Sequence, residues 1–407
     1  THFHWPAKKI GLLPALFFDE GKEWGRSRRL ICPHLVGNNV ADMIPSLAKV
    51  TERFCAQLGE KEHAGEVVDG IQGFESFAHD SVALAAFGLH TDSMTAPKDQ
   101  PCPSLDCVKT VMQAFMTLML QPLAMLGWVT LPWLLPWVKH TNKQSKLLRD
   151  MIQGAINKAR LEHREIARKG ARMDGVESTP DGVLLRKMAA VSEKGRDGNH
   201  LPDRMAFSDD EVVRQAMSLF IGGTGTTAFV LCWVMCYLTK HPKMLARCRE
   251  EALQAAPARN GVVSTSEQVA KLEFCSAVFM ETLRMRSSST ALFFHNGEAT
   301  TMEDGTVLEK NTGVIVLTRY AGASEDCFTR AKDFVPERWI EAEREEALLG
   351  KGGNVEVNRS VNHDENGFLA FGAGPRVCPG KAVAKAQAGM IIAAMCARFD
   401  MALEPGQ

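Results

Sequence analysis

The 407-residue chain lacks any excess of charge of one sign. It carries 47 lysine and arginine residues against 48 aspartate and glutamate residues, a formal net charge of −1. Proteins that bind nucleic acids usually carry a basic excess, because contacts with the phosphate backbone dominate their affinity. The charge balance therefore argues against a nucleic-acid-binding protein.

The chain also lacks the cysteine spacing of a disulfide framework. Its 11 cysteines are an odd number and recur at no regular interval. Disulfide scaffolds are short chains with paired cysteines, and structural zinc sites place cysteine and histidine at short, repeated spacings. We therefore expect most of these cysteines to be small buried residues in a reducing compartment.

The sequence has no internal repeat and no composition break that would mark a linker. Hydrophobic residues make up 45% and charged residues 23% of the chain, as in soluble proteins with a large core. Residues 110–138 and 215–239 are uncharged and long enough to cross a bilayer, but three prolines would break a lipid-exposed helix in the first. We predict one domain over residues 1–407, with both runs as buried helices. Residues 118–138 are also predicted to touch a membrane surface.

Helical periodicity covers most of the chain, and β-type runs are short. We predict a mainly α fold with a small β component. The predicted helices cover residues 146–168, 208–239 and 266–285, the stretch that opens at Pro242, and the stretch from Cys378 to about residue 399. Ser208 should cap the second of these helices. Residues 300–316 are predicted to form a hairpin around Asp304 and Gly305, and residues 170–202 and 350–367 to form polar loops, the first with one short helix.

One segment, FGAGPRVCPG over residues 371–380, combines features that core packing does not require. Its glycines at 372, 374 and 380 allow positive φ and close approach of a flat ligand to the backbone. Pro379 suits the first turn of a helix. Cys378 should then lie at a helix N-terminus, where free N–H groups favour a thiolate, and Arg376 can hold an anionic group beside it.

A thiolate in such a setting can be a nucleophile or a metal ligand. A cysteine protease would need a histidine partner, and no local signature of one is present. A zinc site would need further cysteine or histidine ligands at short spacing. Axial ligation of a haem iron by a lone cysteine remains.

The same segment fits the haem-binding signature F-x-x-G-x-R-x-C-x-G of the cytochrome P450 family at every fixed position, and the chain resembles that family. Three further motifs occur in the family's order: W-x-x-x-R at Trp24 and Arg28, E-x-x-R at Glu281 and Arg284, and P-E-R-[FW] at residues 336–339. The resemblance implies a long central helix above the haem and a cysteine loop beneath it.

The resemblance also implies haem b, iron protoporphyrin IX, with Cys378 as the axial ligand. It implies that Trp24, Arg28 and Arg376 hold the haem propionates, with His295 in place of an arginine often found there. The remaining residues expected to border the cofactor are Phe371, Gly372, Gly374 and Gly380 beneath it and Gly222 and Gly223 above it.

Glu281 and Arg284 lie three residues apart and share one helix face. Taken alone, they would form an exposed ion pair worth under about 1 kcal/mol. The resemblance implies that Arg338 joins them in a structural clasp that supports folding and haem retention.

On the oxygen side, Thr226 matches the family's threonine and Thr227 follows it. The resemblance implies that the Thr226 hydroxyl relays protons through water. Alternatively, these threonines bond only to carbonyls four residues earlier. Gly225 stands where the family usually has an acid, which leaves open a haem-thiolate hydroperoxide isomerase or dehydratase.

Two other functions stay open. Residues 223–228 fit the dinucleotide fingerprint G-x-G-x-x-[GA], but a helical segment follows where a strand ending in an acid should stand. A haem-binding protein without turnover is the third alternative, because the family's N-terminal lobe or anchor and its final hairpin are expected to be missing.

The activity implied is insertion of one oxygen atom from O2 into a small apolar organic substrate. Electrons would come from an NADPH-dependent flavoprotein reductase or a ferredoxin-type donor, which Arg26, Arg29, Lys381 and Lys385 would attract. The motif variants resemble eukaryotic members. They imply membrane association through a missing N-terminus, at the endoplasmic reticulum with the catalytic domain facing the cytosol, or in a plastid or mitochondrion.

Overall fold

A computed structural model describes residues 15–97, 100, 102–120, 136–168, 181–194, 207–340 and 367–404. Most of the predicted membrane-contact segment 118–138 and almost all of the predicted loop 350–367 lie outside these ranges. Of the predicted loop 170–202, only residues 181–194 are described, and they include the expected short helix.

The described chain is mainly helical, as predicted. Its helices, in chain order, are α1 Gly21–Ile31, α2 Asn38–Ala41, α3 Ile44–His63, α4 Gly70–Phe87, α5 Pro103–Leu120, α6 Pro136–Arg168, α7 Val183–Lys194, α8 Asp209–Lys240, α9 Pro242–Ala255, α10 Ser266–Val269, α11 Glu273–Met285, α12 Thr318–Gly322 and α13 Lys381–Arg398. Short 3₁₀ turns cover Cys32–Leu35, Pro257–Arg259 and Gly374–Arg376. The strands are β1 Leu292–His295, β2 Thr300–Thr301, β3 Val307–Leu308 and β4 Gly313–Val316.

Helix α8 is the centre of the fold and begins where the sequence predicts. The Ser208 hydroxyl accepts a hydrogen bond from the Glu211 amide, and the Glu211 carboxylate accepts one from the Ser208 amide, so both ends of a capping box are present. The helix packs against α4, α6, α11 and α13. Within the described ranges, only α8 is long and apolar enough to cross a membrane, and half of its most apolar window is buried inside the protein.

One glycine of α8 has a packing role that the sequence did not predict. A Cβ at Gly223 would lie 2.8 Å from Cγ2 of Val82 on α4. Gly223 therefore permits close packing of α8 on α4, and its predicted contact with a flat ligand stays a prediction. A Cβ at Gly222 or at Gly225 would meet nothing within 4 Å.

The small β component differs from the prediction in one pairing. Gly305, with φ of +86°, lies in the turn that joins β2 to β3, so the predicted hairpin is confirmed there. Strand β4 instead pairs antiparallel with β1, with His295 opposite Gly313. The predicted helix over residues 266–285 is also divided, because residues 270–272 form a turn between α10 and α11.

His79 on α4 offers a pH test of the buried core. Burial lowers the pKa of its imidazole to about 4; the charge of Asp80 opposes this shift and that of Lys109 adds to it. Below about pH 6.5 the unfolded chain binds a proton that the folded chain does not, so we expect stability to fall as pH drops from 6.5 towards 4, by up to about 3 kcal/mol. In urea unfolding across this range, His79→Gln should show a weaker pH dependence. The same substitution at exposed His90 is the control, and an unchanged slope in His79→Gln would contradict the assignment.

Candidate functional site

The loop before α13 is held by its own backbone. The amide of Cys378 donates to the carbonyl oxygen of Phe371 at 2.7 Å, which closes the loop across the 3₁₀ turn. Gly372 and Gly374 have φ of +73° and +64°, a region that favours glycine. Two of the three glycines therefore have the conformational role that the sequence predicts.

The third glycine and the proline have other roles. Gly380 has φ of −86°, which any residue adopts, and it caps α13. A Cβ there would lie 3.9 Å from the sulfur of Cys378, so glycine leaves the space beside the sulfur open. Helix α13 begins at Lys381, so Pro379 precedes the cap and does not lie in the first turn.

Cys378 differs from the other ten cysteines, all of which are buried or partly buried, because its surface is exposed. Packing of protein atoms around the thiol raises the pKa of Cys378 above its ordinary value. The backbone N–H groups of Gly380 and Lys381 and the charge of Arg28 oppose this rise. The backbone N–H groups at the helix start therefore stabilise a thiolate, but burial has the larger effect on the pKa, and the predicted thiolate stays a prediction.

Helix α1 brings two predicted residues to this loop. Trp24 and Arg28 lie one turn apart on the same face, and the Arg28 guanidinium carbon is 5.9 Å from the Trp24 ring centre. Arg28 donates from Nη1 to the carbonyl oxygen of Val377 at 2.9 Å. The guanidinium of Arg376 lies over the same ring at 4.7 Å. The structure thus gathers Trp24, Arg28 and Arg376 around one indole ring.

His295 is the last residue of β1 and is exposed. Its strand adjoins the cysteine loop, because Leu292 Cδ1 lies 3.9 Å from the position of a Cβ at Gly372. The part of His295 in holding an anionic group stays a prediction.

The exposed residues in the central part of helix α8 lie along one accessible stripe. Gly222, Gly225, Thr226 and Phe229 follow the spacing of a single helix face, and the last three are exposed. The Thr226 hydroxyl donates to the Gly222 carbonyl oxygen at 2.7 Å. Thr227 is only 6% exposed and faces away from the stripe. The back-bonded arrangement is therefore observed for Thr226, while its hydroxyl oxygen stays able to accept a further hydrogen bond.

The sequence-predicted clasp is fully buried. Glu281 receives two hydrogen bonds from Arg284, from Nε at 2.9 Å and from Nη2 at 2.8 Å. Arg338 lies against the same carboxylate, with its Nε 3.2 Å from Oε2. The side chains of all three are at most 1% exposed. An exposed surface pair at this motif is therefore excluded.

Sequence reasoning missed two further partners of this carboxylate. The indole N–H of Trp339 donates to Glu281 Oε2 at 2.9 Å, and the Val335 amide donates to Oε1 at 2.9 Å. Trp339 belongs to the P-E-R-[FW] motif, so the sequence marked this residue as part of the site. The motif does not show that the indole N–H contacts Glu281.

Aromatic rings connect the clasp to the cysteine loop. The ring of Trp339 lies 4.7 Å from that of Phe368, and Phe368 lies 6.3 Å from Phe371, with both pairs edge-on. The clasp thus supports the loop through direct packing.

Arg26 does not belong to an exposed basic surface, contrary to the prediction. It forms a bidentate pair with Glu211 at 2.6 and 3.1 Å, and its side chain is 16% exposed. Hydrogen bonding to Glu211 raises the pKa of Arg26. Its role is to hold α1 against the first turn of α8.

Comparison with known proteins agrees with this geometry. The family model described as cytochrome P450 matches residues 8–407. Probable cytochrome P450 312a1 of Drosophila melanogaster is 23% identical over 95% of this chain and 71% of its own length. Probable cytochrome P450 12c1, mitochondrial, from the same organism is 23% identical over 94% and 68%.

A solved structure, the heme domain of cytochrome P450DA, superposes with a TM-score of 0.74 at 18% identity, over 96% of this chain and 74% of that one. The two proteins therefore share a fold although their sequence identity is low. The family consists of haem proteins that act as monooxygenases, oxidoreductases that incorporate molecular oxygen. The chain belongs to the cytochrome P450 family.

Proposed function

We propose that this protein is a haem-thiolate monooxygenase that inserts one oxygen atom from O2 into an apolar organic substrate. One observation carries the proposal: Cys378, an exposed residue just before α13, lies beside the group formed by Arg28, Trp24 and Arg376. A lone sulfur donor next to cationic side chains matches a flat, iron-bearing ligand with two carboxylates.

The residues present fit haem b. The N–H groups of Gly380 and Lys381 that point at Cys378 would stabilise its thiolate, and the absence of a side chain at Gly380 leaves space beside the sulfur. Arg376, Arg28 and Trp24 would hold the propionates, and His295 is proposed as a further contact. When bound, haem supplies the centre at which O2 is reduced and an oxygen atom is transferred.

Thr226 is proposed to place a water for proton delivery. Its hydroxyl proton is engaged by the Gly222 carbonyl, so its oxygen is available to accept a hydrogen bond from water on the accessible stripe. Thr227 is buried, and the proposal therefore depends on Thr226. Exposed Phe229 on the same stripe and exposed Phe294 on β1 favour an apolar substrate.

The test of the activity uses the haem-loaded protein with an electron donor and isotopically labelled O2. One labelled oxygen atom in the product, with the other in water, is expected. Spectroscopic haem binding without any product in the presence of a range of apolar substrates would support the non-catalytic alternative. Product formed from a hydroperoxide without O2 or electrons would support the isomerase alternative, which the absence of an acid at Gly225 favours.

Gly225 provides a prediction about proton delivery. A side chain there has open space, so Gly225→Glu should restore a carboxylate on the stripe without displacing its neighbours. If proton delivery is limiting, the fraction of electrons that end in product should rise several-fold. Gly225→Gln has the same size without the acid and is the matched control. An equal effect in both variants, or in neither, would count against the carboxylate account.

We further propose that an acidic redox partner, an NADPH-dependent flavoprotein reductase or a ferredoxin-type protein, docks near the cysteine loop. Lys381 is exposed there, with its amine 5.9 Å from the Phe371 ring, and Lys385 lies one turn further along α13. On α1, Arg29 is exposed.

We also propose membrane association, at the endoplasmic reticulum with the catalytic part facing the cytosol.

Charge reversal tests this docking surface. Lys381→Glu with Lys385→Glu should slow reduction by the protein partner several-fold at low salt, because it replaces attraction by repulsion. The difference should vanish as salt rises, since exposed charges are screened beyond about 10 Å at 0.1 M. Reduction by dithionite should not change. Lys243→Glu with Lys310→Glu, outside α1 and α13, is the charge-matched control; equal slowing in both double variants would rule out a specific site.

A further inference from the structure

A chain of buried polar groups joins the central helix to the candidate cofactor-binding arginine. Gln215 on α8 accepts a hydrogen bond from the Leu16 amide at 2.7 Å and donates to the Ser27 hydroxyl at 2.9 Å. Ser27 on α1 donates in turn to the Asp19 carboxylate at 2.7 Å. The side-chain amide of Gln215 thus contacts both the segment before α1 and α1 itself.

These groups are removed from solvent. Gln215 is 1% exposed, Ser27 3% and Asp19 4%. A buried amide or carboxylate is tolerated only where its hydrogen bonds are made, so the three side chains hold each other in one arrangement. Nothing in the proposed reaction uses Gln215 directly.

The last link reaches the cysteine loop. The backbone carbonyl of Asp19 accepts a hydrogen bond from Nη2 of Arg376 at 2.8 Å, and the same guanidinium lies 4.7 Å from the Trp24 ring centre. Arg376 is therefore fixed from two directions, by the indole on α1 and by the carbonyl of a residue whose side chain belongs to the buried chain.

We propose that Gln215 is a positioning residue for Arg376: through Ser27 and Asp19 it fixes the carbonyl that orients the guanidinium towards a carboxylate of the cofactor. The inference rests on the proposed function, in which Arg376 holds a haem propionate. It adds a residue of the central helix, outside every motif of the family, to the parts that hold the cofactor.

The experiment measures the rate at which the haem-loaded protein releases haem to excess apomyoglobin. Arg376→Gln should speed release roughly tenfold, as expected for loss of a charge-assisted hydrogen bond. Gln215→Leu should speed it by a similar or somewhat smaller factor, and Ser27→Ala, which removes the middle link with little change in volume, should do the same. In the double variant Gln215→Leu/Arg376→Gln, release should be no faster than in Arg376→Gln alone, because both changes remove one interaction.

A second probe isolates the carboxylates. The proteins are loaded with the dimethyl ester of haem, whose propionates carry no charge, and we expect release from Gln215→Leu and from the parent to converge. Arg26→Gln is the matched control, because it removes another contact between α1 and α8 without touching the chain that leads to Arg376. It should leave haem release unchanged even where it lowers the unfolding midpoint.

Additive effects in the double variant, or an undiminished Gln215→Leu effect with the ester, would show a general loosening of structure and overturn the inference alone. The inference is likewise overturned if Arg376→Gln speeds haem release and Gln215→Leu does not. If the parent protein gives no thiolate-type spectrum with haem, the proposed function fails first, and the inference that rests on it fails with it.

Discussion

Replacing Cys378 with alanine should abolish the red-shifted Soret band that a thiolate-ligated ferrous haem gives with carbon monoxide. Cys378 is the exposed residue among the 11 cysteines, and the N–H groups of Gly380 and Lys381 are directed at its sulfur. Loss of its sulfur removes the donor of this loop that can push electron density onto the iron. Cys378→Ser should lose the band as well, since an alcohol oxygen does not replace a thiolate as donor.

Cys32 gives the matched control for this substitution. It follows α1, is partly exposed, and has a pKa that burial raises, with the neighbouring Cys378 adding to the shift and Arg28 opposing it. Cys32→Ser therefore changes a thiol close to the same site and should keep the band. Retention of the band in Cys378→Ala, or its loss in Cys32→Ser, would contradict the ligand assignment.

The sequence was sufficient for features that depend on local chemistry. The cap of α8 at Ser208, the start of α9 at Pro242 and the positive φ of Gly372 and Gly374 all follow from what one residue type does to its own backbone. The membership of the family also followed from short local motifs.

The features that the sequence missed are contacts between distant parts of the chain. Gly223 is a helix-packing residue because Val82, 141 positions earlier, fills the space opposite it. Arg26 pairs with Glu211 and is largely buried, whereas the sequence predicted an exposed side chain that attracts a redox partner. Its neighbours in sequence do not reveal this pairing, because Glu211 lies 185 positions later. Strand β4 pairs with β1, which lies before the predicted hairpin of residues 300–316. The local hairpin pattern therefore could not show the partner of β4.

The same limit applies to the clasp, of which the sequence predicted the members but not the surroundings. Apart from Glu281, the two arginines donate to backbone carbonyls: Arg284 to those of Gly322, Ala331 and Asp333, and Arg338 to those of Thr329 and Arg330. Both guanidiniums also lie over the ring of Phe328, at 5.2 and 5.9 Å. A single carboxylate thus pairs with two buried guanidiniums. Backbone carbonyl dipoles and the face of the Phe328 ring stabilise the remaining positive charge.

We expect Glu281→Ala to destabilise the protein by about 3–5 kcal/mol, because it leaves two buried guanidiniums without their anion. The Trp339 and Val335 N–H groups would also lose their acceptor, and Trp339 begins the aromatic contact to the cysteine loop. Urea unfolding should therefore show a large fall in the free energy of unfolding together with reduced haem content.

Glu337→Ala is the control for this prediction. Glu337 pairs with Arg247 at 2.9 Å, but both side chains are more than 40% exposed, so loss of this pair should cost under about 1 kcal/mol. Similar losses of stability in the two variants would mean that the Glu281 clasp is no stronger than a surface ion pair. The cysteine loop would then be supported by contacts other than those of this carboxylate.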